Sequence, residues 1–160
     1  MRYINFENKP LVSADNFFMA EAIKEAKYAL KLDEVPIGAV IVLNGKIIGR
    51  GHNLTERLKD VTAHAEMLAF TAAANYLGAK YLKECTLYVT IEPCVMCAGA
   101  SYWTQIARLV YGAADIERGF SRRGANLLHP KTTVLGGVHE DQCAKLVKQF
   151  FLSKRNKFDI

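Results

Sequence analysis

The segment formed by residues 86–111 constrains the fold most strongly, because it predicts two strands joined by a helix. Residues 86–91 alternate apolar and polar side chains and are rich in β-branched types, a pattern typical of a strand. Residues 94–103 predict a short helix, and residues 106–111 predict a second strand. Two strands linked in this way usually pair in parallel through a right-handed crossover. We therefore expect a parallel strand pair covered by a helix.

Two further helices are predicted from apolar spacing and capping residues. Apolar side chains recur at helical spacing over about residues 14–31, with Ser13 or Asp15 as a possible N-cap. An alanine-rich segment has good helix propensity, and we expect it to be capped by Thr62 and closed by Gly78.

A β-hairpin is predicted between these helices. Asn44 and Gly45 separate two short strand patterns at residues 39–43 and 46–49. Both residue types tolerate a positive φ, which a two-residue hairpin turn requires. The least regular segment is residues 113–133. It is long for a structureless loop, so it is either functional or contains a short helix.

The C-terminal segment has the clearest amphipathic pattern. Its apolar residues recur at i, i+3, i+4, i+7 and i+8, and they are Cys143, Leu146, Val147, Phe150 and Phe151. We interpret Phe150 and Phe151 as core residues. Helices interleaved with strands in a chain of 160 residues predict an α/β fold in a single domain spanning residues 1–160.

Two short motifs bring together residue types that bind metal. His64 and Glu66 form His-x-Glu, and Cys94 and Cys97 form Cys-x-x-Cys. Cysteines at i and i+3 at a helix start lie on one face, and the helix N-terminus favours the thiolate that binds metal. With His64 as a third ligand, a tetrahedral Zn²⁺ retains one open position, as catalytic zinc sites do.

Glu66 is left over from this ligand set and can serve as a general acid and base. Zinc lowers the pKa of a bound water to about 7, and a nearby carboxylate can move the protons. Residues i and i+2 inside a helix point in nearly opposite directions. The hypothesis therefore requires His64 and Glu66 to lie at the first turn, beside the metal.

Other interpretations of the cysteines and histidines remain open. Cys-x-x-Cys is also typical of thioredoxin-like redox pairs, and a closed structural zinc site would need a fourth ligand. We interpret Cys85 and Cys143 as core residues. We assign no role to His52 or His139, whereas His129 lies in the irregular loop and is a candidate substrate contact.

The combination of His-x-Glu with a later Pro-Cys-x-x-Cys resembles the zinc-dependent nucleobase deaminases. The sequence resembles the cytidine and deoxycytidylate deaminase superfamily, and within it the bacterial tRNA-specific adenosine deaminases. The resemblance covers nearly the whole chain. It rests on the segments EVPIGAV, GHN, TAHAE, LYVTIEPCVMCAGA and YGAAD, and on a C-terminal pattern that ends in FF.

This resemblance implies a three-layer α/β/α cytidine deaminase-like fold with a central mixed sheet of about five strands. It also implies one Zn²⁺ per chain, a homodimer, and conversion of adenosine to inosine at the wobble position of the tRNA anticodon arm. By the same resemblance, His64, Cys94 and Cys97 match the metal ligands and Glu66 matches the proton shuttle. The substrate-binding residues that it implies are Asn53, Ala65 and Asp115.

Three departures from the family pattern leave the substrate open. Val61 stands where many relatives have Pro, and Tyr102 and Trp103 make their segment more aromatic than the commoner tRNA-editing pattern. In addition, His129-Pro130 follows Asn126-Leu127-Leu128. Tyr-Trp at this place also occurs in relatives similar to guanine deaminases. The alternatives are therefore deamination of a free nucleobase or nucleoside, with guanine first and cytosine next, and a non-catalytic zinc-stabilised RNA-binding subunit.

The charge balance is compatible with an acidic partner. The net charge is +5 at pH 7, and basic residues cluster at Arg118, Arg122, Arg123 and Lys131 and again at Lys145, Lys148, Lys154, Arg155 and Lys157. We see neither the apolar core of a secretory signal peptide nor an apolar run long enough to span a membrane. We therefore expect a cytoplasmic protein without membrane association.

Overall fold

A computed structural model describes the backbone of residues 11–124 and 126–157, and the side chains from residue 14 onward within these ranges. Its elements in chain order are α1 (Leu11–Lys31), β1 (Gly38–Leu43), β2 (Lys46–His52), α2 (Thr55–Leu58), α3 (Ala65–Leu77), β3 (Thr86–Ile91), α4 (Val95–Thr104), β4 (Arg108–Ala113), a 3₁₀ helix (Phe120–Arg122), β5 (Thr133–Leu135) and α5 (Glu140–Arg155). In this part of the chain, no helix combines the length and apolarity needed to cross a bilayer.

The five strands form one mixed sheet in the order β2-β1-β3-β4-β5. The hairpin pairs β1 with β2, and β1 also runs antiparallel to β3. The predicted strand–helix–strand unit is confirmed, because β3 and β4 pair in parallel with α4 between them. β4 and β5 are parallel as well. The α/β fold class and the five-stranded mixed sheet are therefore as expected.

Alternate residues of the strands face two separate hydrophobic cores, as the period of two in a strand requires. Ile41 and Leu87 face one core, which α3 and α4 cover. Val40 and Val110 face the other, which α1 and α5 cover. Helices on both faces of the sheet give the three-layer α/β/α arrangement.

Close packing of α3 on the sheet depends on Gly51 in β2. A Cβ atom at this position would lie 2.2 Å from the carbonyl oxygen of Ala65 and 2.8 Å from the backbone nitrogen of Ala69. Only glycine allows such an approach without displacing backbone. The first turn of α3 is thereby held directly against the end of β2, which matters for the site described below.

Two predicted helix caps are wrong. α1 begins at Leu11 rather than near residue 14, so Asp15 lies within the helix, where its carboxylate binds Arg108. Thr62 does not cap α3, because the N-cap residue is His64. The Thr62 hydroxyl instead donates a hydrogen bond to Asp60.

The strand bounds and the irregular segment also differ in part from the expectation. The strand predicted at residues 106–111 lies at Arg108–Ala113. The segment of residues 113–133 does contain a short helix, at Phe120–Arg122, but the three-residue β5 after it was not predicted. The hairpin turn at Asn44 and Gly45 is confirmed, with φ values of 49° and 73°.

The predicted core residues are mostly confirmed. Cys85, Cys143 and Phe150 are buried, and the closing position of Gly78 at the end of α3 is also confirmed. The core prediction for Phe151 is wrong, because its side chain is 44% exposed. The buried apolar face of α5 therefore ends at Phe150, one residue earlier than the periodicity predicted.

Candidate metal centre and active site

The candidate site lies where the sheet presents the carboxyl ends of three strands. Asn53 follows β2, Glu92 follows β3 and Asp115 lies just after β4, all at the same end, as the strand register requires. Both α3 and α4 begin at this end. In open α/β sheets, ligands bind in the crevice outside the carboxyl ends of the strands.

The two helix starts place the three predicted metal-binding side chains together. His64 is the N-cap residue of α3, Cys94 is the N-cap residue of α4, and Cys97 lies in the first turn of α4. Nδ1 of His64 is 3.6 Å from Sγ of Cys94 and 3.5 Å from Sγ of Cys97. The three candidate ligand atoms all lie within 4.8 Å of one another.

These distances fit a tetrahedral zinc ion. Zn–N and Zn–S bonds of about 2.0 and 2.3 Å, meeting at a tetrahedral angle, place the nitrogen and sulfur about 3.5 Å apart. Imidazole and thiolate are also the ligand types that zinc prefers over magnesium or calcium. The chain thus contains a His and two Cys positioned for zinc, and the nitrogen presented to the ion is Nδ1.

The local electrostatics favour the thiolate form of Cys94. A hydrogen bond from the Cys97 thiol, together with the neighbouring His64, lowers the pKa of Cys94 to about 4 although burial opposes ionisation. The backbone N–H groups at the first turn of α4 also stabilise negative charge. Thiolate is the form of cysteine that binds metal.

Glu66 meets the geometric condition set by its spacing from His64. The backbone of His64 is extended, with φ −74° and ψ 155°, and Glu66 is only the second residue of α3. Glu66 can therefore lie beside the metal-binding group, where its carboxyl contacts the Cys97 side chain. The side chain of Glu66 is buried, and burial raises the pKa of its carboxyl to about 7. Such a carboxyl can both accept and donate a proton near neutral pH.

Asn53 is held by a buried carboxylate that the sequence did not reveal as important. Both Asn53 and Glu34 are buried, and Nδ2 of Asn53 donates to Oε2 of Glu34 at 3.5 Å. The backbone N–H groups of Glu56 and Arg57, at 3.2 and 2.7 Å, also donate to this carboxylate. Glu34 therefore connects Asn53 to the start of α2.

The other two predicted substrate contacts differ in what they can offer. The side chain of Ala65 is fully buried, so this residue can offer only its backbone N–H, at the first position of α3. Oδ1 of Asp115 accepts hydrogen bonds from the backbone N–H groups of Glu117 and Arg118, at 3.0 and 2.9 Å. This carboxylate stabilises its own loop in the structure.

The aromatic residues that raised the question of another substrate lie at the far end of α4. Tyr102 and Trp103 occupy its last turn, about 12 Å along the helix axis from Cys94 at 1.5 Å per residue. The ring of His129 packs 5.6 Å from that of Tyr102. None of the three is therefore grouped with the metal-binding side chains within this chain.

Glu34 and Glu92 are two buried acidic residues near the site whose burial was not predicted from the sequence. The available signal is their context: each lies in an apolar segment close to a proline, in EVP and IEP. A carboxylate in such a position is almost never buried without partners. Burial with hydrogen-bond partners could therefore have been anticipated for both, but the sequence does not identify those partners.

Comparison with known proteins places the chain in a family. The zinc-binding region of cytidine and deoxycytidylate deaminases matches residues 12–113. The chain is 45% identical to a tRNA-specific adenosine deaminase of Bacillus subtilis over 151 residues, which is 91% of this chain and 94% of the relative.

Solved structures give the same result. A structure from studies of A-to-I editing by tRNA:A34 deaminases matches with a TM-score of 0.77 and 43% identity, covering 81% of this chain and 98% of that one. A guanine deaminase of Bacillus subtilis matches with a TM-score of 0.60 and 37% identity, covering 68% of each chain. The resemblance found in the sequence is confirmed, and the chain belongs to the cytidine and deoxycytidylate deaminase family, within which it groups with relatives named tRNA-specific adenosine deaminases.

Proposed function

We propose that this protein is a zinc-dependent hydrolase that converts adenosine to inosine at the wobble position of a tRNA. One observation carries the proposal. Three metal-binding side chains, His64, Cys94 and Cys97, lie within 4.8 Å of one another, and a buried glutamate that is not needed as a ligand lies beside them. The overall reaction consumes one water and releases one ammonia.

The residues of the centre have separate roles in this proposal. His64 through Nδ1, with the thiolates of Cys94 and Cys97, holds the zinc. When bound, zinc supplies a hydroxide nucleophile at neutral pH by lowering the pKa of a coordinated water. The Glu66 carboxylate would accept one proton from the attacking water and pass it to a ring nitrogen of the base. It would then accept a second proton from the hydroxyl group added to the base and pass it to the amino group, which leaves as ammonia. A redox role for Cys94 and Cys97 does not account for this glutamate.

Residues around the metal centre would orient the substrate. We assign nucleoside contacts to Asn53, to the backbone N–H of Ala65 and to Asp115. The support for Asn53 is its burial beside Glu34, which fixes the side-chain amide. A buried amide held on one side by a carboxylate offers its remaining polar atoms to a ligand without reorganisation.

A polynucleotide substrate accounts best for the basic residues of the chain. A tRNA anticodon arm is polyanionic, whereas guanine and other free bases are neutral and need no basic surface. A wobble adenosine must also be unstacked and turned out of its loop to reach a recessed metal centre. Guanine remains the second candidate because of the match to a guanine deaminase.

The decisive experiment measures inosine and ammonia from zinc-loaded protein. The substrates are a transcribed tRNA with A at the wobble position, the same tRNA with G there, and free guanine, cytosine and adenosine. We expect turnover of the A-containing tRNA alone. Ammonia release from guanine alone would replace the proposal with the second candidate. Binding of tRNA without turnover of any substrate would indicate an RNA-binding subunit.

We also propose a homodimer. The exposed side of α4 is apolar and unpartnered among the described residues: Val95 is 43% exposed and Trp103 is 77% exposed, with open space beyond Gly99 between them. A second copy of the chain, related by a two-fold axis, would cover this face of α4 with the same face of its own α4.

Since tRNA is the proposed substrate, we place the protein in the cytoplasm.

A further inference from the structure

The segment that follows β4 is fixed directly against the metal-binding end of α4. The backbone N–H of Phe120 donates to the carbonyl oxygen of Pro93 at 2.9 Å. Next to this bond, Cys94 and Gly119 form an isolated antiparallel bridge. The segment of residues 114–124, which we call the arginine loop, therefore borders a metal-binding residue.

Glu92 holds the arginine loop in this position. Its carboxylate accepts one hydrogen bond on each oxygen, from the backbone N–H of Asp115 at 3.1 Å and from that of Ser121 at 3.0 Å. Glu92 is only 4% exposed. A Cβ atom at Gly119 would lie 2.4 Å from Cδ of Glu92, so glycine is required where the loop crosses the carboxylate. A buried charge with two backbone donors is strongly fixed.

The loop presents arginines that have no acidic partner in the described part of the chain. Arg118, Arg122 and Arg123 are all exposed, and none of them forms an ion pair with a described residue. Asp115, an acidic residue of the same loop, accepts hydrogen bonds from the loop backbone instead. Three unpaired guanidinium groups on a fixed loop suit phosphate, which arginine binds through planar paired hydrogen bonds.

We propose that the arginine loop binds the phosphate groups of the RNA nucleotides that flank the target nucleotide, and that Glu92 is a positioning residue for this contact. The inference rests on the proposed function, since a flanking phosphate exists only in a polynucleotide. It assigns a specific phosphate-binding surface beside the metal centre. The loop thereby links recognition of RNA to the position of α4.

The test compares two triple variants of equal charge change. The loop variant carries Arg118→Gln, Arg122→Gln and Arg123→Gln, and the control variant carries Lys46→Gln, Lys80→Gln and Lys83→Gln. The control residues are exposed and lie at the opposite end of the sheet. Binding of tRNA with A at the wobble position is measured from about 50 to 200 mM salt, with zinc-loaded proteins that also carry Glu66→Gln to prevent turnover.

We expect the loop variant to bind tRNA roughly tenfold or more weakly and to reduce the slope of log affinity against log salt by about 2, because three phosphate contacts are lost. The control variant should keep the parent slope, and both should retain zinc. Equal slopes for the loop and control variants would overturn the inference. If the wild-type protein fails to form inosine, the proposed function fails, whereas the binding slopes still decide the role of the loop.

Glu92→Gln tests the positioning role separately. An amide has only one accepting oxygen, so its nitrogen would face a backbone N–H of the loop. In the catalytic protein we expect KM for tRNA to rise several-fold while kcat changes less and zinc content stays at one per chain. Unchanged KM, or loss of zinc together with activity, would contradict a role through the arginine loop. Glu117→Gln, on the loop surface, serves as the matched control.

Discussion

Nδ1 of His64 and Sγ of Cys97 lie 3.5 Å apart, the separation of about 3.5 Å that one tetrahedral zinc ion requires of its nitrogen and sulfur ligands. The residues come from two helices that begin side by side at the end of the sheet. Because His64 is the N-cap of α3, its backbone is extended and its side chain is free to face α4. The two helix starts thus create the metal centre.

Removing a metal ligand should remove zinc without unfolding the chain. We expect Cys94→Ala to lower the zinc content from one per chain to near zero and to abolish deamination, because two protein ligands remain. The two cores lie on the faces of the sheet and do not depend on the metal. Far-UV circular dichroism should therefore stay close to that of the wild type, with the Tm lowered by several degrees through loss of the bound ion.

Cys143→Ala is the matched control for this experiment. Cys143 is also a free and buried cysteine, but it packs in the core formed with α1 and α5. We expect it to keep zinc and activity while losing stability from a small cavity. If Cys143→Ala lost zinc as fully as Cys94→Ala, the assignment of the metal ligands would be wrong.

Replacing Glu66 by glutamine should separate metal binding from catalysis. Glutamine has nearly the same shape but cannot take up a proton, so we expect kcat to fall by about 10²- to 10⁴-fold. Zinc content and the affinity for tRNA should change little. Elemental analysis, inosine formation and tRNA binding measure the three quantities. Glu84→Gln, an exposed change, should leave all three unaltered, and near-normal kcat in Glu66→Gln would refute the proton-transfer role.

Glu34→Gln should weaken substrate binding through Asn53. Glu34 accepts hydrogen bonds from Asn53 and from the backbone at the start of α2, and glutamine would turn an N–H toward one of these donors. We expect a loss of about 1 to 3 kcal/mol in the free energy of unfolding and a rise in KM with zinc retained.

The control for Glu34→Gln is Glu56→Gln, since Glu56 is exposed and contributes its backbone N–H rather than its side chain. It should leave KM unchanged. A Glu34→Gln protein that loses stability but keeps its KM would show that Glu34 supports the fold without orienting Asn53.

Acid should weaken the link between α1 and the sheet. Burial alone would raise the pKa of Asp15, but hydrogen bonds from Arg108 and Tyr88 outweigh burial and hold it below its usual value of 3.8. A lowered folded-state pKa stabilises the protein above the unfolded value, and the stabilisation is lost as the pH falls through the folded value. Asp15→Asn weakens hydrogen bonds to a charged group, which typically contribute about 1.5 to 3 kcal/mol, so it should lower the free energy of unfolding by a similar amount at pH 7.

Urea unfolding at several pH values measures this contribution. The difference in the free energy of unfolding between the wild type and Asp15→Asn should be constant from pH 7 to about 5 and should shrink below pH 4. A difference that stayed constant down to pH 2 would mean that the carboxylate contributes no stability through its charge. Tyr88→Phe, which removes one donor to Asp15, should give a smaller loss.

The parts of the fold that follow from local pattern were predictable from the sequence. The period of two in β3 and the Asn44-Gly45 turn depend on neighbouring residues alone, and the structure has both. The caps at Asp15 and Thr62 were wrong because tertiary contacts determine them. Asp15 pairs with Arg108, which is distant in the sequence, and no local pattern records such a partner.

The residues of the candidate site were likewise predictable only in part. The metal-binding residues were found because His-x-Glu and Cys-x-x-Cys are short motifs with characteristic chemistry. Glu34 and Glu92 were missed because their partners are backbone N–H groups of distant segments, and backbone donors leave no trace in residue identity. These donors become visible only when the strands and loops are placed together.

The exposed side of α4 gives the final prediction. Trp103 is 77% exposed, and a large aromatic side chain so exposed on an apolar helix face is typical of an interface. We expect the wild type to sediment at twice its chain mass of 17.8 kDa, and Trp103→Glu to sediment as a monomer because burying an unpaired carboxylate is costly. Tyr76→Glu, an exposed aromatic change on α3, should leave the dimer intact. A Trp103→Glu protein that remained dimeric would place the interface elsewhere on the surface.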